Sequence, residues 1–364
     1  MATNTLYRPI TIGSLELPGN LFLAPVAGYT DRAFRSICSE AGADFSFTEL
    51  VSAEAITRNP GYYGLGGTAA AKKAPGAFLL ALPQISRVCD TESGNGSPGG
   101  KPRAAVQLFG AESKTLGRAC ALLGPLRPDA VDLNAGCPVP KVVKTGAGSA
   151  LMRDPARLGR AVEAMVSASN EFLGGIPVTV KIRAGWDAVS QNYAECARIA
   201  VEAGAAMVSL HPRTRAQGYG GKSDWSLIAD LAARLTVPVT GSGDLYTPED
   251  ARSMLAETGC AAVMFARGAM GNPFIFGAAK SFLTQGSWTA PEPAERLRTA
   301  LYHLEKLAED LGETSACLEM RKQFCAYTKG TMGLPGISGG AALRDKLVHA
   351  GTIAEYREIL SYYR

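Results

Sequence analysis

Short apolar runs alternate with longer segments of helical spacing along most of this chain. Eight runs have the length and content of buried strands: residues 21–24, 44–49, 104–108, 130–133, 178–182, 207–210, 237–240 and 262–265. Apolar residues at helical spacing predict helices between them, at 32–41, 112–123, 156–168, 192–203, 225–234 and 248–257. Continuous apolar strands are typical of a parallel sheet that is buried on both faces. Eight βα units predict a closed (β/α)8 TIM barrel.

Two regions depart from this pattern. Residues 59–103 are rich in Gly, Pro, Ala and Ser, which predicts an extended insertion after the second strand. From about Thr289 the strands stop, and segments 294–311, 317–328 and 341–364 have the pattern of amphipathic helices. We therefore expect a barrel domain over residues 1–288, which contains the insertion, and a small α-helical domain over 289–364.

Composition narrows the class of protein. With 364 residues, 46% hydrophobic and 19% charged, the chain has the composition of a soluble globular protein, and a net charge of +4 neither requires nor excludes an anionic partner. The eight cysteines form no C-x-x-C pair, which argues against a zinc site and a disulfide framework. No signal-like or membrane-spanning run is present, so we expect a cytoplasmic protein with no membrane partner. We also expect a monomer without a metal.

The stretch from Val131 to Pro140, VDLNAGCPVP, is the most informative in the chain. It begins as a buried strand and breaks into a polar turn that carries Asn134 and Cys137. In α/β proteins, active-site side chains lie at the carboxyl ends of strands. An amide can read two hydrogen-bonding edges, and a thiol can act as an acid, a nucleophile or a metal ligand. A cysteine that is packed as a small hydrophobe is the alternative.

The other predicted strands also end in polar or glycine-rich turns. Their candidate residues are Pro25, Val26, Ala27, Gln107, Lys181, Arg183, His211, Arg213, Arg215, Ser242, Gly243, Asp244, Ala266 and Arg267. The last two turns occupy the usual phosphate site of a barrel, where backbone N–H groups and an arginine hold an anion. A phosphate there, with Gln107, Lys181 and His211 at the barrel mouth, suits a flat phosphorylated cofactor such as FMN.

Taken together, these motifs resemble the bacterial tRNA-dihydrouridine synthases. The matching stretches are LAPVAGYTDRAFR (23–35), TEL (48–50), VQLFG (106–110), VDLNAGCP (131–138), GSALM (148–152), VKIRAGW (180–186), LHPRTR (210–215) and residues 263–276. They cover most of residues 20–285, and the segment EMRK (319–322) is similar to that family's helical domain. The resemblance implies NAD(P)H-dependent reduction of uridines in tRNA to 5,6-dihydrouridine, with FMN as the cofactor and NADPH or NADH as the reductant.

The resemblance also implies a role for each candidate. Pro25, Val26 and Ala27 would present backbone to the isoalloxazine ring, and Gln107, Lys181 and His211 would contact the flavin. The ribityl phosphate would be held by the turn residues Ser242, Gly243, Asp244, Ala266 and Arg267. Asn134 would bind the target uracil and Cys137 would be the general acid. The predicted contacts to tRNA are Arg183, Arg213, Arg215, Arg321 and Lys322.

Two departures from the family's pattern fall in the phosphate turns. Ser242 replaces an Asn, and Ala266 replaces a Gly, but backbone N–H groups can make both contacts. Two alternatives remain at this point: an FMN barrel reductase that acts on a free pyrimidine or another small unsaturated substrate, and a non-catalytic RNA-binding module. The joint presence of Cys137, Lys181, Asn134 and Gln107 argues against the second.

Overall fold

A computed structural model describes residues 6–60, 65, 102–330 and 334–363. Most of the predicted insertion at 59–103 therefore lies outside the described residues. In the described part of the chain, no helix combines the length and the apolar character needed to cross a membrane. The same residues contain no group of three or more His, Cys, Asp or Glu side chains that could hold a metal ion.

A closed parallel barrel forms the body of the protein, as the sequence predicts. Its eight strands follow in chain order: β3 (Leu21–Leu23), β4 (Phe45–Phe47), β6 (Ala104–Phe109), β7 (Ala130–Ala135), β8 (Val178–Arg183), β9 (Met207–His211), β10 (Val239–Ser242) and β11 (Ala262–Phe265). Each pairs in parallel with its neighbours, and β11 closes the ring onto β3. A short strand, β5 (Val51–Ser52), extends the edge beside β6.

Helices cover the barrel at the six predicted places, with small changes of boundary. They are α1 (Arg32–Glu40), α3 (Ser113–Ala121), α5 (Pro155–Phe172), α6 (Tyr193–Glu202), α7 (Ser226–Arg234) and α8 (Pro248–Thr258). The predictions missed α2 (Ala53–Arg58), α4 (Pro140–Val143) and α9 (Ile275–Gln285). They also missed an antiparallel hairpin, β1 (Ile10–Ile12) with β2 (Leu15–Leu17), whose apolar side chains join the inner core of the barrel.

The period-two geometry of the strands separates two cores. Alternate residues such as Leu21, Val106, Val131 and Val180 pack outward against the helices. The residues between them, including Phe22, Phe45, Ala105, Ala130 and Met264, form a second cluster inside the barrel. Because side chains alternate along each strand, every second residue points into the barrel. Near the carboxyl end of a strand, such a residue points into the mouth of the barrel.

Four helices follow the barrel: α10 (Pro293–Leu311), α11 (Glu313–Lys329), α12 (Gly340–His349) and α13 (Ile353–Ser361). The sequence pattern joined 341–364 into one segment, but the structure divides it at Ala350–Thr352. The Thr352 hydroxyl accepts a hydrogen bond from the Glu355 N–H at 3.3 Å and caps a new helix there.

The helical region is held to the barrel at the start of α1. The Arg32 guanidinium forms a buried ion pair with Asp310 of α10, with Nε and Oδ2 2.7 Å apart. The neighbouring Asp31 caps α1 and lies 3.4 Å from the buried His303 Nε2. Gln323 of α11 donates to the Tyr29 carbonyl at 3.3 Å. These contacts tie the helices to the loop that follows the first barrel strand.

Candidate active site

The predicted site residues on barrel strands share one parity. Three of them, Gln107, Asn134 and His211, lie an even number of positions after an inward residue of their own strand, so they also face inward. Lys181 lies between two outward residues of its strand and therefore faces inward as well. Parallel pairing then aligns them around the rim, since Gln107 pairs with Asp132 and Asn134 pairs with Lys181. The structure thus brings the residues predicted from separate strands together at one end of the barrel.

A chain of buried hydrogen bonds runs across this rim to the cysteine turn. Thr179 Oγ1 and Gln107 Nε2 donate to the two oxygens of Asp132, at 2.5 and 2.7 Å. Gln107 Oε1 accepts from Asn134 Nδ2 at 2.8 Å, and Asn134 Oδ1 accepts from the Cys137 N–H at 2.9 Å. Because a carboxylate only accepts, Asp132 fixes the orientation of the Gln107 amide and, through it, that of Asn134.

Cys137 lies in a tightly packed turn. Its carbonyl accepts from the Ser149 N–H at 3.0 Å, and a Cβ on Gly148 would lie 2.8 Å from that carbonyl oxygen. Burial raises the pKa of the thiol, and a backbone hydrogen bond at Val139 and the charge of Arg183 offset part of this rise. The Cys137 thiol is therefore protonated at neutral pH, which a general acid requires.

Burial and neighbouring cations lower the pKa values of two basic groups at the rim, by different amounts. The pKa of the buried Lys181 is lowered to about 8, because burial and Arg183 outweigh the charge of Asp132. The pKa of His211 is lowered to about 2 by burial and by surrounding cations, so its imidazole is neutral. Arg213 Nη1 lies 3.3 Å from His211 Nε2, and since a guanidinium only donates, that nitrogen is the acceptor.

The two glycine-rich turns lie side by side, because Ser242 of β10 pairs with Met264 of β11. Gly243 has a φ of +112°, and a Cβ there would meet Ser223 Oγ at 2.2 Å and His211 Cδ2 at 2.9 Å. Arg267 Nη2 contacts Asp244 Oδ1 at 3.1 Å across the two turns. The close packing at Gly243 leaves room only for a glycine, and the phosphate role of the two turns stays a prediction.

The carboxylate of Asp244 faces arginines rather than open space. Arg213 Nη2 contacts its two oxygens at 2.9 and 2.7 Å, and the Ser223 N–H donates to it at 2.8 Å. Burial alone would raise the pKa of Asp244, but these hydrogen bonds and the charges of Arg213 and Arg267 outweigh it and lower the pKa. Any contact of Asp244 to a phosphate would therefore use its backbone. The side chain of Ser242 is also engaged, because its hydroxyl donates to the Met264 carbonyl at 3.1 Å.

The predicted tRNA contacts fall into different environments. Arg183 is 3% exposed and donates to the carbonyls of Gly136, Thr214 and Gly218, and Arg213 is 1% exposed. Lys322 of α11 pairs with Glu319 beside Gly28, so it faces the barrel. Arg321 instead interacts with Tyr356 within the helical region. The structure therefore brings Lys322, but not Arg321, to the first barrel loop.

Asp132 and Tyr219 escaped prediction as site residues, and Glu49, within the matching stretch TEL (48–50), was expected at a strand end but without a role. Asp132 lies within an otherwise apolar strand and was counted only as part of it. A carboxylate between Val131 and Leu133 nevertheless indicates a buried polar group that needs hydrogen-bond partners. Glu49 accepts from the Gly28 N–H at 2.9 Å and so steadies the loop that carries Pro25, Val26 and Ala27; burial raises its pKa to about 7. Tyr219 is 61% exposed at the rim, with its ring 5.0 Å from the Arg267 guanidinium carbon.

Comparison with known proteins gives this site a family. Residues 22–360 match the family model described as dihydrouridine synthase. The chain belongs to the dihydrouridine synthase family. It is 43% identical to the probable tRNA-dihydrouridine synthase of Treponema pallidum (strain Nichols), over 99% of this chain and 97% of that relative. It is 34% identical to tRNA-dihydrouridine synthase B of Xanthomonas axonopodis pv. citri (strain 306), over 87% of this chain and 86% of that relative.

Solved structures agree with the fold of this family member. A histamine dehydrogenase from Rhizobium sp. 4-9 matches with a TM-score of 0.54 at 12% identity, covering 83% of this chain and 51% of that one. An old yellow enzyme homologue from Zymomonas mobilis matches with a TM-score of 0.50 at 14% identity, covering 78% of this chain and 94% of that one. At such identities the likeness concerns the barrel architecture alone.

Proposed function

We propose that this protein reduces uridines in tRNA to 5,6-dihydrouridine, with FMN as its cofactor and NADPH or NADH as its reductant. Family membership and the names of the relatives support the reaction and the substrate. The observation that carries the proposal is the placement of Cys137 at the rim: its backbone N–H donates to Asn134, which is linked through Gln107 to the buried Asp132.

The donor set at the barrel mouth fits FMN. The cradle at Gly243 has no room for a Cβ, and Arg267 places a cation beside it. Lys181, His211 and Gln107 offer an ammonium group, a neutral imidazole and an amide near the centre of the rim. A phosphate in the cradle and a flat ring over the mouth would use both groups of residues, and Pro25, Val26 and Ala27 would line the same ring.

When bound, the reduced flavin supplies a hydride to carbon 6 of uracil. Cys137 then donates its proton to carbon 5, because its raised pKa keeps that proton on sulfur at neutral pH. Asn134 Nδ2 has one hydrogen on Gln107, which leaves the other for an oxygen of the uracil edge. Lys181 would hold the cofactor and would supply a positive charge that stabilises negative charge on its reduced ring.

The substrate must leave its stack before this chemistry can occur, so the rim has to bind RNA around an extruded base. For direct contacts we propose Arg215 at the rim and Lys322 of the helical region, which we take as a tRNA-binding domain over 289–364. The buried Arg183 and Arg213 would act by shaping the rim, and Arg321 would act from within the helical region. The cytoplasmic location, the monomeric state and the choice between NADPH and NADH stay predictions from the sequence.

The test is dihydrouridine formation in tRNA that lacks this modification, with purified protein and NADPH. We expect product at defined uridines, and we expect Cys137→Ala to keep flavin and tRNA binding while its rate falls about 100- to 10,000-fold. Cys120→Ala is the matched control, because that thiol is also buried but lies in the last turn of α3, which runs from the rim back to the other end of the barrel. Unchanged turnover in Cys137→Ala would remove the thiol from the acid role, and no product from the flavin-loaded wild type would refute the substrate.

A further inference from the structure

Two arginines at the barrel rim share one tryptophan ring. The guanidinium carbons of Arg153 and Arg215 lie 4.8 and 4.7 Å from the Trp186 ring centroid. Both distances are within the range of cation–π contact, which holds a planar guanidinium in place without using its hydrogen-bond donors. We call these three residues the arginine–tryptophan cluster.

No carboxylate neutralises the cluster among the residues that the structure describes, where neither arginine forms an ion pair. The two acids next to the cluster in sequence form local hydrogen bonds instead. Asp154 accepts from the Arg157 N–H, and Asp187 accepts from the Ser190 N–H and hydroxyl. Within the described part of the chain, Arg215 Nε is buried without a hydrogen-bond partner. Internal hydrogen bonds or ion pairs therefore do not explain why two like charges are held together here.

The segments that carry the cluster are anchored around Cys137. The Ser149 N–H donates to the Cys137 carbonyl at 3.0 Å, and the 3-10 helix that starts there ends at Arg153. A rise of about 2 Å per residue puts Arg153 about 8 Å from Ser149 along the helix. The Arg215 N–H donates to the Gly185 carbonyl at 2.8 Å, next to Trp186. The cluster thus lies on the same rim as the thiol, beside the site rather than in it.

We propose that Arg153 and Arg215, held on Trp186, bind backbone phosphates of the tRNA next to the extruded uridine. The inference rests on the proposed function, which requires a polyanion to approach this rim. Stacked guanidinium groups match phosphate oxygens with two parallel donors. Because guanidinium groups already cover the indole, the cluster contacts the backbone rather than stacking a base, and so it contributes affinity without sequence preference.

The experiment measures tRNA binding by the flavin-loaded protein over a range of salt concentrations, together with kcat and KM for dihydrouridine formation. Arg153→Gln and Arg215→Gln should each weaken tRNA binding roughly three- to tenfold, lower the salt slope by about 0.7 to 1, and leave kcat within about twofold. Trp186→Leu should weaken binding similarly, since both arginines lose their support. Arg118→Gln is the matched control, an exposed arginine on the outer helix α3.

A further variant separates loss of the contact from loss of the loop. Arg215→Lys keeps the charge but not the planar stack, so it should retain part of the affinity that Arg215→Gln loses. Equal affinity and salt slope in Arg153→Gln, Arg215→Gln and Arg118→Gln would overturn the proposal, and so would a fall in kcat at unchanged affinity. A wild-type protein that forms no dihydrouridine would refute the proposed function, whereas an active wild type with indifferent arginine variants would refute the cluster alone.

Discussion

Replacing Asp132 tests the hydrogen-bonded chain that orders the rim. The two carboxylate oxygens accept from Thr179 and Gln107 inside the barrel, where water does not compete. Asp132→Ala removes both acceptors and strands two buried donors. Asp132→Asn keeps one acceptor for Gln107, and the Thr179 hydroxyl can turn to accept from the new amide. The two variants therefore differ mainly in the number of donors left without a partner.

The structure sets the size of this difference. A buried donor without an acceptor costs about 1–3 kcal/mol, so Asp132→Ala should lower the free energy of unfolding by about 2–6 kcal/mol. Burial raises the pKa of Asp132 to about 6, so the carboxylate still predominates at neutral pH, but burying its charge costs free energy. Removing that charge offsets the weaker hydrogen bonds of Asp132→Asn, and we expect its free energy of unfolding to stay within about 1 kcal/mol of wild type.

Urea unfolding at pH 7.5, together with flavin content and dihydrouridine formation, measures both consequences. Asp132→Ala should lose stability, flavin and activity together, because Gln107 and Asn134 are then free to turn. Ser209→Ala is the control on β9, two strands away from β7, since its buried hydroxyl has no hydrogen-bond partner among the described residues. An Asp132→Ala protein that is as stable as wild type, or an equal loss in both variants, would refute this account.

Two further predictions concern the flavin site. Lys181 loses its proton near pH 8 in the free protein, and contact with the flavin favours the ammonium form, so FMN affinity should be constant below about pH 8 and fall above it. A titration of FMN binding against pH checks this, and a parallel fall in Lys181→Met would contradict it. Gly243→Ala should purify with little flavin, judged by absorbance, whereas Gly218→Ala, also at positive φ but with open space around it, should keep its flavin.

The barrel could be predicted because its strands are buried on both faces. Eight apolar runs separated by helical patterns determine a closed parallel sheet, and polar residues at their carboxyl ends must then meet at one rim. The hairpin β1–β2 was missed because strands of three residues are too short for alternation to show. Residues 341–364 are divided at Gly351 by one glycine and the helix cap that follows it. The apolar spacing continues across this break, so the sequence pattern predicts one segment instead of two helices.

The detailed partners within the site could not be predicted from local pattern. Arg213 and Asp244 are 31 positions apart, and only the register of neighbouring strands brings them together. The sequence therefore gives Asp244 as a turn residue at a phosphate site, and the folded chain shows that its carboxylate is already paired. Asp132 was overlooked for a similar reason, because its donors come from β6 and β8 on either side.

The attachment of α10 at the start of α1 limits how these enzymes can be recombined. A chimaera that takes its helical region from another family member would bring new residues to face Asp31 and Arg32. Without acids at the positions of Asp310 and Glu309, the buried Arg32 would lose both of its charge partners on α10, at a cost of about 3–5 kcal/mol. The loop that carries Pro25, Val26 and Ala27 precedes that anchor directly, so a mismatched graft would disturb the cofactor site as well. A working exchange of RNA specificity therefore has to transfer the first turn of α1 together with the helices.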